Sequence, residues 1–320
     1  MKRAFVTGGS GFVGKELIGA LVAKGVDVRA LARSEKAATA VRGVGAVPVR
    51  GDLADQAAMA EGMAECDVVF HAAANVSEHG RLADHLRDTV DGTKNVLAAA
   101  QAAKVRRFVH VGTEAVLANG KPIVHADETV PYPAKPVGPY PIAKGLAERT
   151  VIAANTQAFE TMSIRPRFIW GRGDTSLLPK LVTAVRKGRF GWIGGGHYLT
   201  STCHVVNVVE GAILAAEKGK GGEIYFLTDG EPVDFREFLT KYIATQGVDA
   251  SKSRNVPRWL AATTATLTAW MKEPPVSKTA IALVGGEVTV VDAKARKQLG
   301  YTGAMTREAG LAEMTPVVPA

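Results

Sequence analysis

The sequence predicts an α/β fold, a doubly wound parallel sheet covered by helices on both faces, with a smaller C-terminal lobe. Three observations carry that expectation. Short apolar runs alternate with helix-patterned segments through the first half of the 320 residues. A glycine-rich turn joins the first run to the first helix. Beyond Trp170 the alternation becomes irregular. Strands that alternate with helices are laid side by side in parallel by their crossovers.

Taken in order, Ala4-Phe5-Val6-Thr7 reads as a buried strand. Residues 11–24 read as a helix with Val13, Leu17 and Leu21 on one face. Strand 26–32, helix 34–42, strand 47–49, helix 55–65 and strand 68–71 follow. A longer helix is expected over 82–103 and a strand over 108–111. Prolines at 122, 131, 133, 136, 139 and 141 predict a loop between residues 119 and 141. A helix over 141–154 and a sixth strand at 163–165 complete the regular part. The strand-like pieces 203–206 and 224–227 lie among loops and helices, which predicts a chain that crosses back to the sheet. Residues 1–166, with 203–228 returning, form the expected sheet domain, and 167–202 with 229–320 form the lobe.

The 39 basic and 31 acidic residues are scattered, and no basic block of the kind found in nucleic-acid tails occurs. The net charge of +8 reads first as a solubilising surface and second as a pull on anionic ligands or membranes. Two cysteines, Cys66 and Cys203, are too few for a disulfide framework or a four-cysteine metal site, so no metal is expected and the cytoplasm is the expected compartment. Ala4-Phe5-Val6 is too short for a signal peptide, and no stretch is long enough to span a bilayer as a helix.

Function enters at Thr7-Gly8-Gly9-Ser10-Gly11-Phe12-Val13-Gly14, which follows the first strand and opens the first helix. Glycines there allow a sharp turn, close approach of backbone N–H groups to a pyrophosphate, and tight helix–sheet packing. The helix N-terminus adds partial positive charge beside the anion. A Rossmann-type dinucleotide site is therefore expected, held by Gly8, Ser10, Gly11, Phe12, Val13 and Gly14.

The spacing Gly8-x-x-Gly11-x-x-Gly14 after Thr7 resembles the extended short-chain dehydrogenase/reductase family, the superfamily of NAD-dependent epimerases and dehydratases. Later segments match in order. Gly51-Asp52-Leu53 resembles the adenine-contacting segment after the third strand, His71-Ala72-Ala73-Ala74 the small-residue strand end along the cofactor, and Asp91-Gly92-Thr93-Lys94-Asn95 the helix signature. The resemblance implies a cofactor contacted by Asp52, Leu53, Ala72, Ala73 and Ala74. At the end of the second strand no carboxylate stands where NAD binders place one; Arg33, with Lys36 nearby, suits a 2′-phosphate instead. NADP is expected over NAD.

Tyr140-Pro141-Ile142-Ala143-Lys144 puts a phenol and an ammonium four residues apart at a helix start, on one face. A fixed cation stabilises the phenolate and brings its pKa down from ~10 toward a useful range. The family resemblance makes these two residues catalytic and contacts of the cofactor, with Thr113 just past the fifth strand orienting the substrate oxygen. The chain departs from the family's pattern at Gly112-Thr113, where many relatives have two serines, and at Leu117-Ala118, where sugar-nucleotide epimerases carry Tyr-Gly. Arg165 and His204 read as structural.

The lobe is expected to choose the substrate. Residues 188–200 mix glycines with Phe190, Trp192 and Tyr198, either as the wall of a site for a bulky ring or as a packed loop. Residues 256–271, with Trp259, Leu260, Leu267 and Trp270, read as a buried helix, with contact at a membrane interface as the second option. These features resemble the 3β-hydroxysteroid dehydrogenase and dihydroflavonol reductase branches. The expected activity is NADP-dependent hydride transfer between nicotinamide and a secondary alcohol or ketone of a small-molecule substrate, in a protein without nucleic-acid partners and with a homodimer possible. The alternatives are a sugar-nucleotide epimerase or dehydratase with tightly bound NAD, and a non-catalytic NADP-binding regulatory protein.

Overall fold

The computed structural model describes residues 1–77, 80–268, 270–271 and 276–314. The first five strands are β1 (Arg3–Thr7), β2 (Asp27–Ala32), β3 (Val47–Arg50), β4 (Val68–His71) and β5 (Arg107–Val111). Four helical crossovers join them: α1 (Phe12–Ala23), α2 (Glu35–Arg42), α3 (Gln56–Gly62), and a composite of α4 (Leu82–His85), a π-helical turn (Leu86–Asp91) and α5 (Gly92–Ala102). After β6 (Ile123–Ala126) and α6 (Pro139–Ala153), β7 (Glu160–Pro166) extends the sheet. The remaining strands are β8 (Ile169–Trp170), β9 (Trp192–Ile193), β10 (Leu199–Thr200), β11 (Cys203–His204), β12 (Ile224–Leu227), β13 (Val233–Asp234), β14 (Asn255–Val256) and β15 (Val288–Val290). The helices among them are α7 (Leu178–Arg186), α8 (Val205–Lys218), α9 (Phe235–Ala244), α10 (Arg258–Leu267), α11 (Lys278–Val284), α12 (Ala293–Leu299) and α13 (Arg307–Ala312).

The main sheet is seven-stranded and parallel, in the order β12-β7-β5-β4-β1-β2-β3. The order reverses between β1 and β4, and ligands of open parallel sheets bind in the crevice at such a reversal, at the carboxyl ends of the strands. Side-chain alternation along β1 feeds both faces. Ala4 and Val6 enter a core with Leu17, Leu21, Val208 and Ile213 from α1 and α8, while Phe5 enters a second core with Met59, Val96 and Val151 from α3, α5 and α6. Each fully buried side chain of this kind contributes about 1.5–3 kcal/mol relative to exposure.

A four-stranded sheet, β13-β10-β15-β6, forms the second layer of order, beside an aromatic core of Trp170, Trp192, Phe235, Phe238 and Tyr242. The chain passes between the two regions repeatedly. Strand β6 pairs with β15, and Ala295, Leu299 and Tyr301 return to the core of the main sheet.

Four expectations are corrected. The helix over 82–103 is interrupted by its π-helical turn. The proline-rich loop contains β6. Only Cys203 and His204 are strand; Val205 and Val206 already belong to α8. The helix in 256–271 is shorter, Arg258–Leu267, and its large side chains face outward: Trp259 is 69% and Leu267 69% exposed.

Candidate active site

The glycine turn lies where the sheet order reverses. Gly8 has φ +72°, and a Cβ there would stand 2.7 Å from the backbone of Ala72 and Ala73, so the turn rests directly on the end of β4. A Cβ on Gly14 would meet the Gly8 carbonyl at 2.2 Å, which is why the helix can start this close to the strand. Helix α1 has no side-chain cap at Gly11 and no acidic residue in its first turn. Its orphan N–H groups are thus left for an anion. Ser10 and Gly11 are exposed; Phe12 and Val13 are half-buried, as are Ala72, Ala73 and Ala74. This cradle fits a dinucleotide pyrophosphate. Strand register pairs Val6 with Ala30, which sets the end of β2 beside the glycine turn. Arg33 is exposed there, and no ion pair involves it among the described residues. Ser34 caps α2 by accepting from the Ala37 N–H. Asp52 is exposed and accepts from the Ala54 N–H, while Leu53 packs beside Gly92.

Behind this crevice runs a buried polar chain. Thr93 donates to the Thr89 carbonyl at 2.6 Å, so its oxygen must accept from His71 Nε2 at 2.9 Å. The His71 proton therefore sits on Nε2, and Nδ1 accepts from the Thr7 hydroxyl at 2.7 Å. Burial, with the Lys144 ammonium as a second cause, brings the His71 pKa down to about 3. The His110 ring lies 5.4 Å away and is also held neutral, first by burial and then by Lys144.

Helix α6 delivers the two residues expected to carry the chemistry. Gly138, at φ +84°, turns the chain into the helix, Pro139 opens it, and Tyr140 is half-buried in its first turn. One turn on, Lys144 is buried. Its Nζ donates to the Val111 carbonyl at 2.7 Å and lies 3.3 Å from His110 Nε2. Burial lowers its pKa to about 8, against an opposing pull from Glu148. The ammonium is thereby fixed at the end of β5, two residues before Thr113.

Thr113 opens the short helical turn Glu114–Leu117, accepting from the Ala115 N–H. Its hydroxyl donates to Glu114 Oε2 at 2.8 Å. Glu114 Oε1 is paired with Arg167 at 2.9 Å, and Arg167 also donates to the Leu283 carbonyl at 2.6 Å, near the end of α11. Glu114 is the residue that sequence reasoning missed. Its only local sign was a carboxylate beside the candidate threonine; its partner lies across the fold. The departure at Gly112 also has a cause: a Cβ there would meet Ser163 Oγ at 2.7 Å and Glu148 Oε2 at 2.8 Å.

Other candidates fall outside the crevice. Arg165 is buried in a bidentate pair with Glu148, which also accepts from Ser163 and Tyr132. His204 caps α8 through Nδ1 and packs edge-on to Trp170. In residues 188–200, which carry β9 and β10, Trp192 packs on Phe190 and Tyr198 stacks on Phe235, so these aromatic side chains are packed into the lobe.

Comparison with known proteins gives the family. Residues 5–258 match the 3-beta hydroxysteroid dehydrogenase/isomerase family. The chain is 50% identical to a 4-hydroxy-2-methyl-3-oxo-4-farnesyl-3,4-dihydroquinoline-1-oxide ketoreductase of Stigmatella aurantiaca, over 99% of this chain and 97% of that one. It is 34% identical to a decarboxylating sterol-4-alpha-carboxylate 3-dehydrogenase of Dictyostelium discoideum, over 98% and 100%. Among solved structures, a dTDP-glucose 4,6-dehydratase from Streptomyces venezuelae with NAD bound superposes with a TM-score of 0.77 at 23% identity, over 98% of this chain and 95% of that one; this likeness concerns the fold. The chain belongs to the 3-beta hydroxysteroid dehydrogenase/isomerase family, as a short-chain-type oxidoreductase of hydroxyl or keto groups that uses a nicotinamide cofactor.

Proposed function

We propose that the protein interconverts a ketone and a secondary alcohol on a bulky, apolar ring substrate with NADP(H), through Tyr140, Lys144 and Thr113. The observation that carries this reading is the buried Lys144 ammonium, fixed at the end of β5 one helical turn from Tyr140 and two residues from Thr113. The glycine turn would hold the pyrophosphate of the cofactor, whose nicotinamide would supply or accept the hydride. The protein's own residues manage the proton and the substrate oxygen. In reduction Tyr140 gives its proton to the carbonyl oxygen, and Lys144 stabilises the phenolate left behind. Thr113 has its proton directed at Glu114, which leaves a lone pair for the hydroxyl of an alcohol; it donates to a carbonyl after turning from Glu114.

The choice of NADP rests on Arg33, whose guanidinium suits a 2′-phosphate through two N–H groups. The bulky substrate class is supported by relatives named for a farnesylated dihydroquinoline oxide and a sterol. The test is NADPH oxidation with prenylated quinoline ketones and 3-ketosteroids. Tyr140→Phe should lower kcat by about 10²–10⁴-fold while leaving NADPH affinity intact. Unchanged turnover with an intact cofactor site rejects the assignment.

A further inference from the structure

We propose that His110 is a positioning residue, which accepts a hydrogen bond from the Lys144 ammonium and fixes its direction. The inference rests on the role given to Lys144 and adds what aims it. Phe108 and His110 point to one face of β5, the face covered by α6. Phe108 enters the core there, but at His110 the same face turns polar. The strand register sets His71 of β4, His110 of β5 and Ser163 of β7 side by side. Helix α6 lays Lys144 over His110 and Glu148 over Ser163.

A polar row buried under a helix has to satisfy its own hydrogen bonds. His71 is bonded at both nitrogens by Thr7 and Thr93, and Ser163 donates to Glu148. Glu148 is also committed to Arg165 and Tyr132. Two uncharged acceptors of β5 therefore hold the ammonium, the Val111 carbonyl at 2.7 Å and His110 Nε2 at 3.3 Å. An ammonium has three donors and no acceptor, so His110 Nε2 must present its lone pair and the ring proton sits on Nδ1. That nitrogen is buried with no hydrogen-bond partner among the described residues. A buried N–H without a partner is rare and costly, and a ring kept for packing alone would be better served by phenylalanine, as at Phe108. What Nε2 does for Lys144 accounts for the cost.

Held by the Val111 carbonyl alone, the ammonium could pivot about that bond. A second acceptor on the neighbouring residue of the same strand stops the rotation and sets where the third N–H points. The groups that face Lys144 are His110 and His71 from the sheet, and Tyr140 and Glu148 from its own helix, with Arg165 and Tyr132 behind Glu148. Both histidines are kept neutral, burial being the main cause for each. The acceptor at His110 thus persists through the range in which Lys144, brought down to about 8 by burial, gives up its proton.

The experiment has two arms. Nitrogen-15 NMR of the full chain labelled in histidine reads the tautomers at pH 7, with the His110 signal identified by its loss in His110→Gln. His110 is expected in the Nδ1–H form and His71 in the Nε2–H form. The second arm is the pH profile of kcat for ketone reduction. In His110→Phe the charged form of Lys144 loses an acceptor, so the alkaline limb should move down by about one pH unit and turnover at pH 9 should fall about tenfold. His110→Gln sets an amide oxygen where Nε2 stood and should return the limb toward its wild-type position. An Nε2–H signal for His110 overturns the proposal. So does a limb that stays in place in His110→Phe, or one that moves equally in His110→Gln, since either marks a ring that only packs. The tautomer is read without turnover, so this proposal and the assignment of Tyr140 fail separately.

Discussion

His71 shows how a single buried side chain sets a condition on the whole protein. Its two hydrogen bonds fix a neutral tautomer, and its pKa of about 3 lies well below the ~6.5 of the unfolded chain. The folded state therefore stays uncharged there while the unfolded state gains a proton below pH 6.5. Stability from this residue is full above that pH and is lost as the pH falls toward 3. At pH 5 the loss amounts to about 2 kcal/mol, measurable by urea unfolding at pH 7 and pH 5. His71→Asn should be less stable at pH 7 yet show a smaller decrease on acidification. At this scale the sequence was legible where a residue's placement is local. The glycines at 8, 11 and 14 and the pair Tyr140 and Lys144 declare themselves by spacing. Glu114 does not, because its meaning lies in Arg167, which is brought to it by the fold.

Among the elements, the start of α6 is the most constrained. Gly138 combines φ +84° with a neighbour, Thr279 Oγ1, that an added Cβ would meet at 2.0 Å. Gly138→Ala should cost at least about 2 kcal/mol in urea unfolding, from backbone strain and overpacking. Thr279→Ala in the same chain should recover only part, since the strained φ remains. Turnover should fall in Gly138→Ala as well, because Tyr140 follows two residues on. Helix 82–103 read as continuous because a π-helical turn hardly alters the apolar pattern around it. Strand β6 escaped notice for a different reason. Ile123–Ala126 becomes a strand only by pairing with Val288–Val290, and its proline-rich surroundings signal a loop. The α10 segment was read as buried from its apolar content, but content does not say which way a helix faces.

At the scale of the molecule, the main sheet and its crevice form a platform that a nucleotide should stabilise. NADPH at one hundred times its Kd should add about 2.7 kcal/mol and raise Tm, with NADH giving less at equal concentration. Arg33→Ser should remove the difference between the two, as read by thermal unfolding. Equal shifts for both nucleotides in the unaltered protein would reject the role given to Arg33. The parallel sheet was readable from alternation alone, since each crossover is local. The second sheet was not, because its four strands are two to four residues long and come from four distant parts of the chain.

Arg167 grips the Glu114 carboxylate with one arm of its guanidinium and the Leu283 carbonyl with the other. Any displacement of residues 278–284 would pull on that second arm, and the tug would travel through Glu114 to the hydroxyl of Thr113. The position of α11 and the aim of that hydroxyl are thus geared together. A ligand that shifts α11 is expected to be seated and yet misaimed, behaving as an inhibitor rather than as a slow substrate.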